Sequence, residues 1–237
     1  MNGWLYYGGG LELWQELYEP FNLVPFPGGN TSVQMGGWFN KEINSIDDLR
    51  GLKMRIPGLG GEVLRRAGGT PVMLPGSEIF TALQTGAIDA TEWIGPYNDV
   101  SFGLHKAAKY YYYPGWQEPG PNLEVIIHKK AWDALPEDLK ELVRLACQAI
   151  NLDAASDYAH GNAMSLAQLR ENPDVEIRPF PDDVLSLLRS TSQEVVTELM
   201  ASDPAAGKIG KAYFDYLEKA KDNSRISDQA YLATRDG

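Results

Sequence analysis

Hydrophobic positions along this chain change period repeatedly, and each change marks an element. Leu11, Trp14, Leu17 and Tyr18 recur at helical spacing, and Pro20 ends that helix. Asn22 to Pro27 reads as a short strand bounded by prolines, and Gly28 to Thr31 as a turn. Ser32 to Phe39 is glycine-interrupted and amphipathic, a strand with Gln34 and Trp38 on one side by period-two counting. Ser45, followed three residues later by Asp48, marks a helix start. Met54, Arg55 and Ile56 form the core of the next strand; Pro57, Gly58, Gly60 and Gly61 break it into a tight turn, and Glu62 to Ala67 opens a helix. Thr70 to Leu74 is a strand, Glu78 to Thr85 a helix capped by Ser77 and closed at Gly86, and Ala87 to Ile94 a third strand before Gly95-Pro96. Tyr110 to Tyr113 and Glu124 to His128 are further strands. Strand and helix alternate, which predicts an α/β fold with a largely parallel sheet.

The character changes at Pro136, which sits near the first position of a helix whose positive end suits Glu137 and Asp138. Leu139, Leu142, Val143, Ala146, Ile150, Ala154 and Tyr158 keep helical spacing, and the pattern runs to about Leu169 before Pro173 stops it, long for a globular helix. Val175 to Phe180 is a strand, Asp182 to Met200 and Ala205 to Ala220 are helices, and the tail beyond Asp222 is polar.

Composition bounds the function. With 237 residues, 43% hydrophobic and 22% charged, the chain can build one large domain or two lobes. A formal charge of −11 and no Lys/Arg stripe argue against nucleic acid as a partner. The lone cysteine, Cys147, forms no intrachain disulfide and reads as a small buried hydrophobe on the long helix. No apolar run is long enough to span a bilayer. The start, NGWLYYGGG, has neither a basic n-region nor an apolar h-region and reads as a loop within a fold, so the sequence reads as a piece of a longer chain.

Candidate chemistry is sparse. Arg55, just before its turn, offers a planar fork of donors suited to a carboxylate or phosphate at a strand end; a pairing with a neighbouring acid is equally open. GLGGEV has part of a dinucleotide fingerprint, but Val63 stands where the third glycine is needed. His105, His128 and His160 lack metal-ligand spacing, and no G-x-S-x-G occurs. Glu92 closes a strand, and Glu118 lies in the loop GWQEPG. With Arg55 they could line a mixed-charge pocket for a hard cation, although an acidic chain favours solvated surface acids. The run Tyr110 to Tyr113 reads as a strand with one ring face buried and one at the surface.

Taken in order, NTSVQMGGWF, LRGLKMRIPGLGGEVLRRAG, LPGSEIFTALQTGAIDATEWIGPYND and YYPGWQEPG resemble the solute-binding proteins of TRAP transporters, the DctP family, and most of all its branch for 2-oxo acids or lactate bound with a metal ion. The resemblance implies a two-lobed α/β periplasmic-binding-protein fold with a long helix crossing both lobes and the N-terminal part of lobe I missing. It implies lobe I from 1–31 and 119–150, a ligand-binding lobe II from 32–118, and a lobe-spanning helix with C-terminal helices from 151–237. It implies no enzyme, but a periplasmic protein that binds pyruvate, another small 2-oxo acid or lactate with Na⁺ or Ca²⁺ and hands it to TRAP permease subunits. Carried over by residue, Arg55 would salt-bridge the ligand carboxylate, Gln34 would reach ligand and metal, Glu92 and Trp93 would lie at the metal (Trp93 through its backbone oxygen), and Glu118 would add an acidic ligand. A homodimer is implied through C-terminal helices whose apolar residues are Leu185, Leu188, Val195, Leu199, Ile209, Phe214 and Leu217. The rival reading is a metal-dependent lyase or hydrolase using Glu92 and Glu118.

Overall fold

The computed structural model describes residues 1–235. They form two compact units: Met1–Phe26, Val125–Arg144 and the residues from Thr197 onward make one, and Pro27–Glu124 with Leu145–Val196 the other. In chain order the elements are α1 (Asn2–Tyr7), α2 (Gly10–Tyr18), β1 (Leu23–Asn30), β2 (Gly37–Phe39), β3 (Lys53–Arg55), α3 (Gly58–Arg66), β4 (Thr70–Val72), α4 (Gly76–Gln84) and β5 (Ala90–Thr91). There follow α5 (Pro96–Ser101), β6 (Tyr110–Tyr113), β7 (Asn122–His128), α6 (Lys129–Asp133), α7 (Glu137–Glu171), β8 (Glu176–Pro179), α8 (Asp182–Ser202), α9 (Pro204–Ile226) and α10 (Asp228–Arg235).

The second unit carries a six-stranded sheet in the order β4-β3-β5-β2-β6-β8. β3 runs parallel to β4 and β5, and β6 parallel to β8, but β2 lies antiparallel to both β5 and β6. The sheet is therefore mixed. Alternating helices report crossovers, and β2 precedes the first crossover helix, so its direction is not in the pattern. Gly37 makes the insertion possible. Its φ is +122°, and a Cβ there would meet the Thr91 carbonyl oxygen at 2.3 Å.

Both faces of this sheet are covered. Trp38 stacks on its cross-strand partner Tyr111 at 4.1 Å on one face, in a core with Ile79, Leu83, Ile88, Leu104 and Leu169. Phe39 and Tyr112 pack edge-on at 5.1 Å on the other, with Met54, Ile56, Leu64 and Phe180. Adjacent Tyr111 and Tyr112 are thus both buried, which corrects the expectation of a surface ring face on that strand. Leu188 and Val195 are buried in the second core, so these two positions expected at a dimer contact are internal. In the first unit Trp4 packs edge-on against Tyr213 at 5.3 Å, and the Phe26 ring lies tilted against Trp132 at 5.0 Å.

Several boundaries differ from those read in the sequence. The start is a helix, not a loop, because Trp4 and Leu5 are buried. β1 runs on through Gly28 and Gly29, where a turn was expected, because it pairs with β7. Only Gly37–Phe39 of the Ser32 to Phe39 stretch is strand. Ser32 adopts φ +61°, with its N–H donating to Asn30 Oδ1 at 2.8 Å. α3 begins at Gly58 itself, so the glycines form its first turn; a Cβ on Gly61 would lie 2.9 Å from the Ile56 carbonyl oxygen. Ser45 and Asp48 do form a capping box, but on a 3₁₀ turn, Ile46–Leu49. α4 starts two residues early, with Pro75 rather than Ser77 at its N-cap. β5 is only two residues long, so Glu92 and Trp93 follow it directly. The long helix has 35 residues, as its pattern predicts, yet Leu139, Leu142 and Ile150 are exposed, and Cys147, Asn151, Gly161 and Leu169 are the buried positions. The described part of the polar tail, to Arg235, is mostly helical and exposed. Among the described residues no helix is long and apolar enough to cross a membrane.

Candidate functional site

β3 ends at Arg55, and the parallel register of β3 on β5 sets Arg55 opposite Thr91. Glu92 comes one residue later, and its N–H donates to the Arg55 carbonyl at 3.2 Å. This places the two side chains at the same sheet end, where the Arg55 Nη1 donates to Glu92 Oε1 in an ion pair. Arg55 Nε donates to the Leu74 carbonyl at 3.3 Å, and the guanidinium lies 5.5 Å from the centre of the Trp93 ring. Trp93 itself stacks on Phe102 at 4.9 Å. Two of the three guanidinium nitrogens of Arg55 are thus engaged.

The loop after β6 brings in Glu118. The Gln34 N–H donates to the Glu118 carbonyl at 3.2 Å, and the Gln34 side chain hydrogen-bonds to the Glu118 carboxylate. Gln34 Nε2 also donates to Thr31 Oγ1 at 3.2 Å, while Gln34 Oε1 is buried without a hydrogen-bond partner. Each of Gln34, Arg55, Glu92, Trp93 and Glu118 therefore touches, or acts electrostatically on, another member of the set. Glu92 is 2% exposed and Glu118 half-buried, so neither is the solvated surface acid that composition favours.

The electrostatics are unbalanced. Burial pushes the Glu92 carboxyl up to about 8, against the pull of Arg55 and reinforced by the charges of Glu118 and Asp99. Burial also raises Glu118, opposed by Arg55 and the Gln34 hydrogen bond. Two carboxylates that resist ionisation share one guanidinium, so a cation would relieve both. The available donors (carboxylates, the orphaned Gln34 Oε1 and backbone carbonyls) are all oxygens, which fits Na⁺ or Ca²⁺ and not a soft metal. Among the described residues no cluster of three or more His, Cys, Asp or Glu side chains could hold a metal by itself.

Cavity size does not mark this site. A cavity of about 890 Å³ lies between His105–Lys109 and Asn172–Asp174 and contains none of these residues. A smaller one of about 590 Å³ is bordered by Gln34, with Met35, Tyr113, Leu166 and Arg170.

One buried charge is absent from the sequence reading. Asp99, in the first turn of α5, is fully buried. Its Oδ2 accepts from Trp38 Nε1 at 3.0 Å and from the Tyr111 hydroxyl at 2.7 Å, and its Oδ1 from the Ile94 N–H at 3.1 Å. An acid in the first turn of a helix after Gly-Pro ordinarily serves the helix dipole in solvent, and nothing in the local sequence says that a sheet closes over it.

The model of the family described as bacterial extracellular solute-binding protein, family 7 (DctP) matches residues 6–203. The chain is 42% identical over 228 residues to a monocarboxylate 2-oxoacid-binding periplasmic protein of Nostoc sp., covering 96% of this chain and 62% of that protein. Among solved structures it resembles a TRAP periplasmic solute-binding protein from Colwellia psychrerythraea with bound calcium and pyruvate: TM-score 0.95, 44% identity, 98% of this chain and 71% of that one. A second, from Pseudoalteromonas atlantica with bound sodium and pyruvate, has TM-score 0.93 and 45% identity over 98% of this chain and 70% of that one. The chain thus spans less than two thirds of the curated relative's length.

Proposed function

The chain belongs to the DctP family, bacterial extracellular solute-binding protein family 7, and from that premise we propose that it binds pyruvate, a related small 2-oxo acid or a 2-hydroxy acid such as lactate, together with Na⁺ or Ca²⁺, in the periplasm. It passes the acid to the membrane permease subunits of a TRAP transporter and catalyses no reaction. The observation that carries this reading is the buried Arg55–Glu92 pair with Glu118 and the orphaned Gln34 Oε1 beside it. Relatives with bound calcium or sodium and pyruvate support the class of ligand.

Each residue has a distinct part. Arg55 keeps Nη2 for the ligand carboxylate while Nη1 stays on Glu92, so the acid is buried with a compensating charge. Glu92, Glu118, Gln34 Oε1 and the Trp93 backbone oxygen hold the cation, and Gln34 and Trp93 border the acid. The cation supplies positive charge to the carboxylates and to the 2-oxo or 2-hydroxy oxygen. In this reading the unit of Pro27–Glu124 and Leu145–Val196 is the ligand-binding lobe, and the other unit belongs to lobe I. The protein pairs as a homodimer through exposed apolar residues of its C-terminal helices, among them Leu199 and Phe214.

Calorimetry with pyruvate and with lactate, in the presence of Ca²⁺ or Na⁺ and again after thorough chelation and desalting, tests the proposal. The expected result is binding without turnover that requires a cation. Equal affinity after cation removal would take the metal out of the site, and product formation would turn the reading to an enzyme.

A further inference from the structure

We infer that Asp99 is a positioning residue for the cation, acting through the Trp93–Ile94 peptide; this rests on the proposed role of the Trp93 carbonyl. The Ile94 N–H that donates to Asp99 Oδ1 at 3.1 Å belongs to the same planar group as the Trp93 carbonyl oxygen. Fixing the N–H direction therefore fixes the direction of that carbonyl. The neighbouring peptides are also held: the Glu92 N–H by the Arg55 carbonyl at 3.2 Å, the Glu92 carbonyl by Thr91 Oγ1 at 2.8 Å, and the Ile94 carbonyl by the Met35 N–H at 3.0 Å. Among the described residues no group donates to the Trp93 carbonyl. The segment is thus tied at both polar backbone groups of Glu92 and both of Ile94, on either side of that acceptor.

Asp99 adds two things that a neutral clamp would not. A hydrogen bond to a carboxylate polarises the peptide and makes its carbonyl a stronger cation ligand. Its Oδ2 is anchored from the sheet by Trp38 and Tyr111, which lie on β2 and β6, so the carboxylate cannot swing away. The same link reaches Gln34, because Met35 is held to Ile94. One buried carboxylate thus sets the geometry of both the Trp93 and the Gln34 sides of the site. Outer-shell partners of this kind typically change metal affinity by about 10–100-fold.

The test compares three forms of the full chain by titration with CaCl₂ and, separately, NaCl: wild type, Asp99→Asn and Tyr111→Phe. An asparagine must present its NH₂ either to the Ile94 N–H or to the Trp38 donor, so it cannot keep the whole set. Tyr111→Phe removes one anchor of Oδ2 and leaves the Ile94 bond. Affinity for whichever cation binds wild type should fall about tenfold or more in Asp99→Asn and by less than about threefold in Tyr111→Phe, although both lower the melting temperature. A second readout needs no Asp99 variant: with ¹³C-carbonyl tryptophan, cation binding should shift one amide I band, and that band should be missing in Trp93→Phe. Wild type that binds neither cation would overturn the cation site and this inference together. Cation binding that Asp99→Asn leaves within threefold of wild type, or equal losses in both variants, would overturn the Asp99 role alone; a tryptophan carbonyl band that does not move would overturn the Trp93 carbonyl as a cation ligand and the Asp99 role with it.

Discussion

Arg55 shows how much one side chain is asked to do. It pairs with Glu92, bonds to the Leu74 carbonyl and lies over Trp93, yet still has donors for an incoming carboxylate. Arg55→Ala leaves Glu92 buried and unpaired and removes the ligand's counter-charge, a loss on the order of 2–5 kcal/mol. Pyruvate affinity should then fall about thirtyfold or more, since about 1.4 kcal/mol is tenfold. Arg55→Lys keeps the charge but loses the fork, and calorimetry should find it between wild type and Ala. Glu92→Gln keeps the shape and removes one charge, so it should weaken the cation first and the acid through it. Undiminished pyruvate affinity in Arg55→Ala would show that the carboxylate is held elsewhere.

At the scale of elements, the site depends on a strand that enters the sheet backwards. β2 lies between β5 and β6, and Gly37 is the residue through which it approaches β5. Gly37→Ala puts a Cβ against the Thr91 carbonyl at a φ that L-residues rarely adopt. Strain and overpacking each cost roughly 1–3 kcal/mol, so urea unfolding should show a loss of about 2 kcal/mol or more. Because Thr91 leads directly into Glu92, cation affinity should fall as well. A variant as stable as wild type would mean that β2 can shift without cost.

For the whole molecule, buried acids give stability a pH dependence. The Glu92 carboxyl is raised from 4.5 to about 8, so the native state holds a proton that the unfolded chain has already released. Native binds more protons than unfolded in that window, so stability falls as pH rises through it. His105, lowered by burial, acts in the opposite sense below its ordinary value of 6.5, so the comparison belongs above it. In chelator the protein should melt at a lower temperature at pH 8 than at pH 6.5, and Ca²⁺ should reduce the difference by holding Glu92 ionised. A pH-independent melt in chelator would mean that Glu92 is not penalised by burial. Sedimentation tests the proposed dimer; a monomer at micromolar concentration would remove it.

Elements whose signals are local were legible in the chain's own pattern. The helical period after Pro136 marked the long helix to within a few residues, the tyrosine run its strand, and the Ser45/Asp48 spacing its capping box. The pattern also identified Arg55 and Glu92 as strand-end residues and left open whether Arg55 meets a neighbouring acid. Tertiary structure decided that it does: the pairing of β3 with β5 brings residues 37 positions apart to one sheet end. It also decided the reversal of β2, the burial of both Tyr111 and Tyr112, and the burial of Asp99, whose partners Trp38 and Tyr111 come from two other strands. The division has one physical cause. Periodicity and capping act within a turn or two of chain, whereas strand direction, two-sided burial and the environment of a charge are set by segments that meet only when the sheet closes.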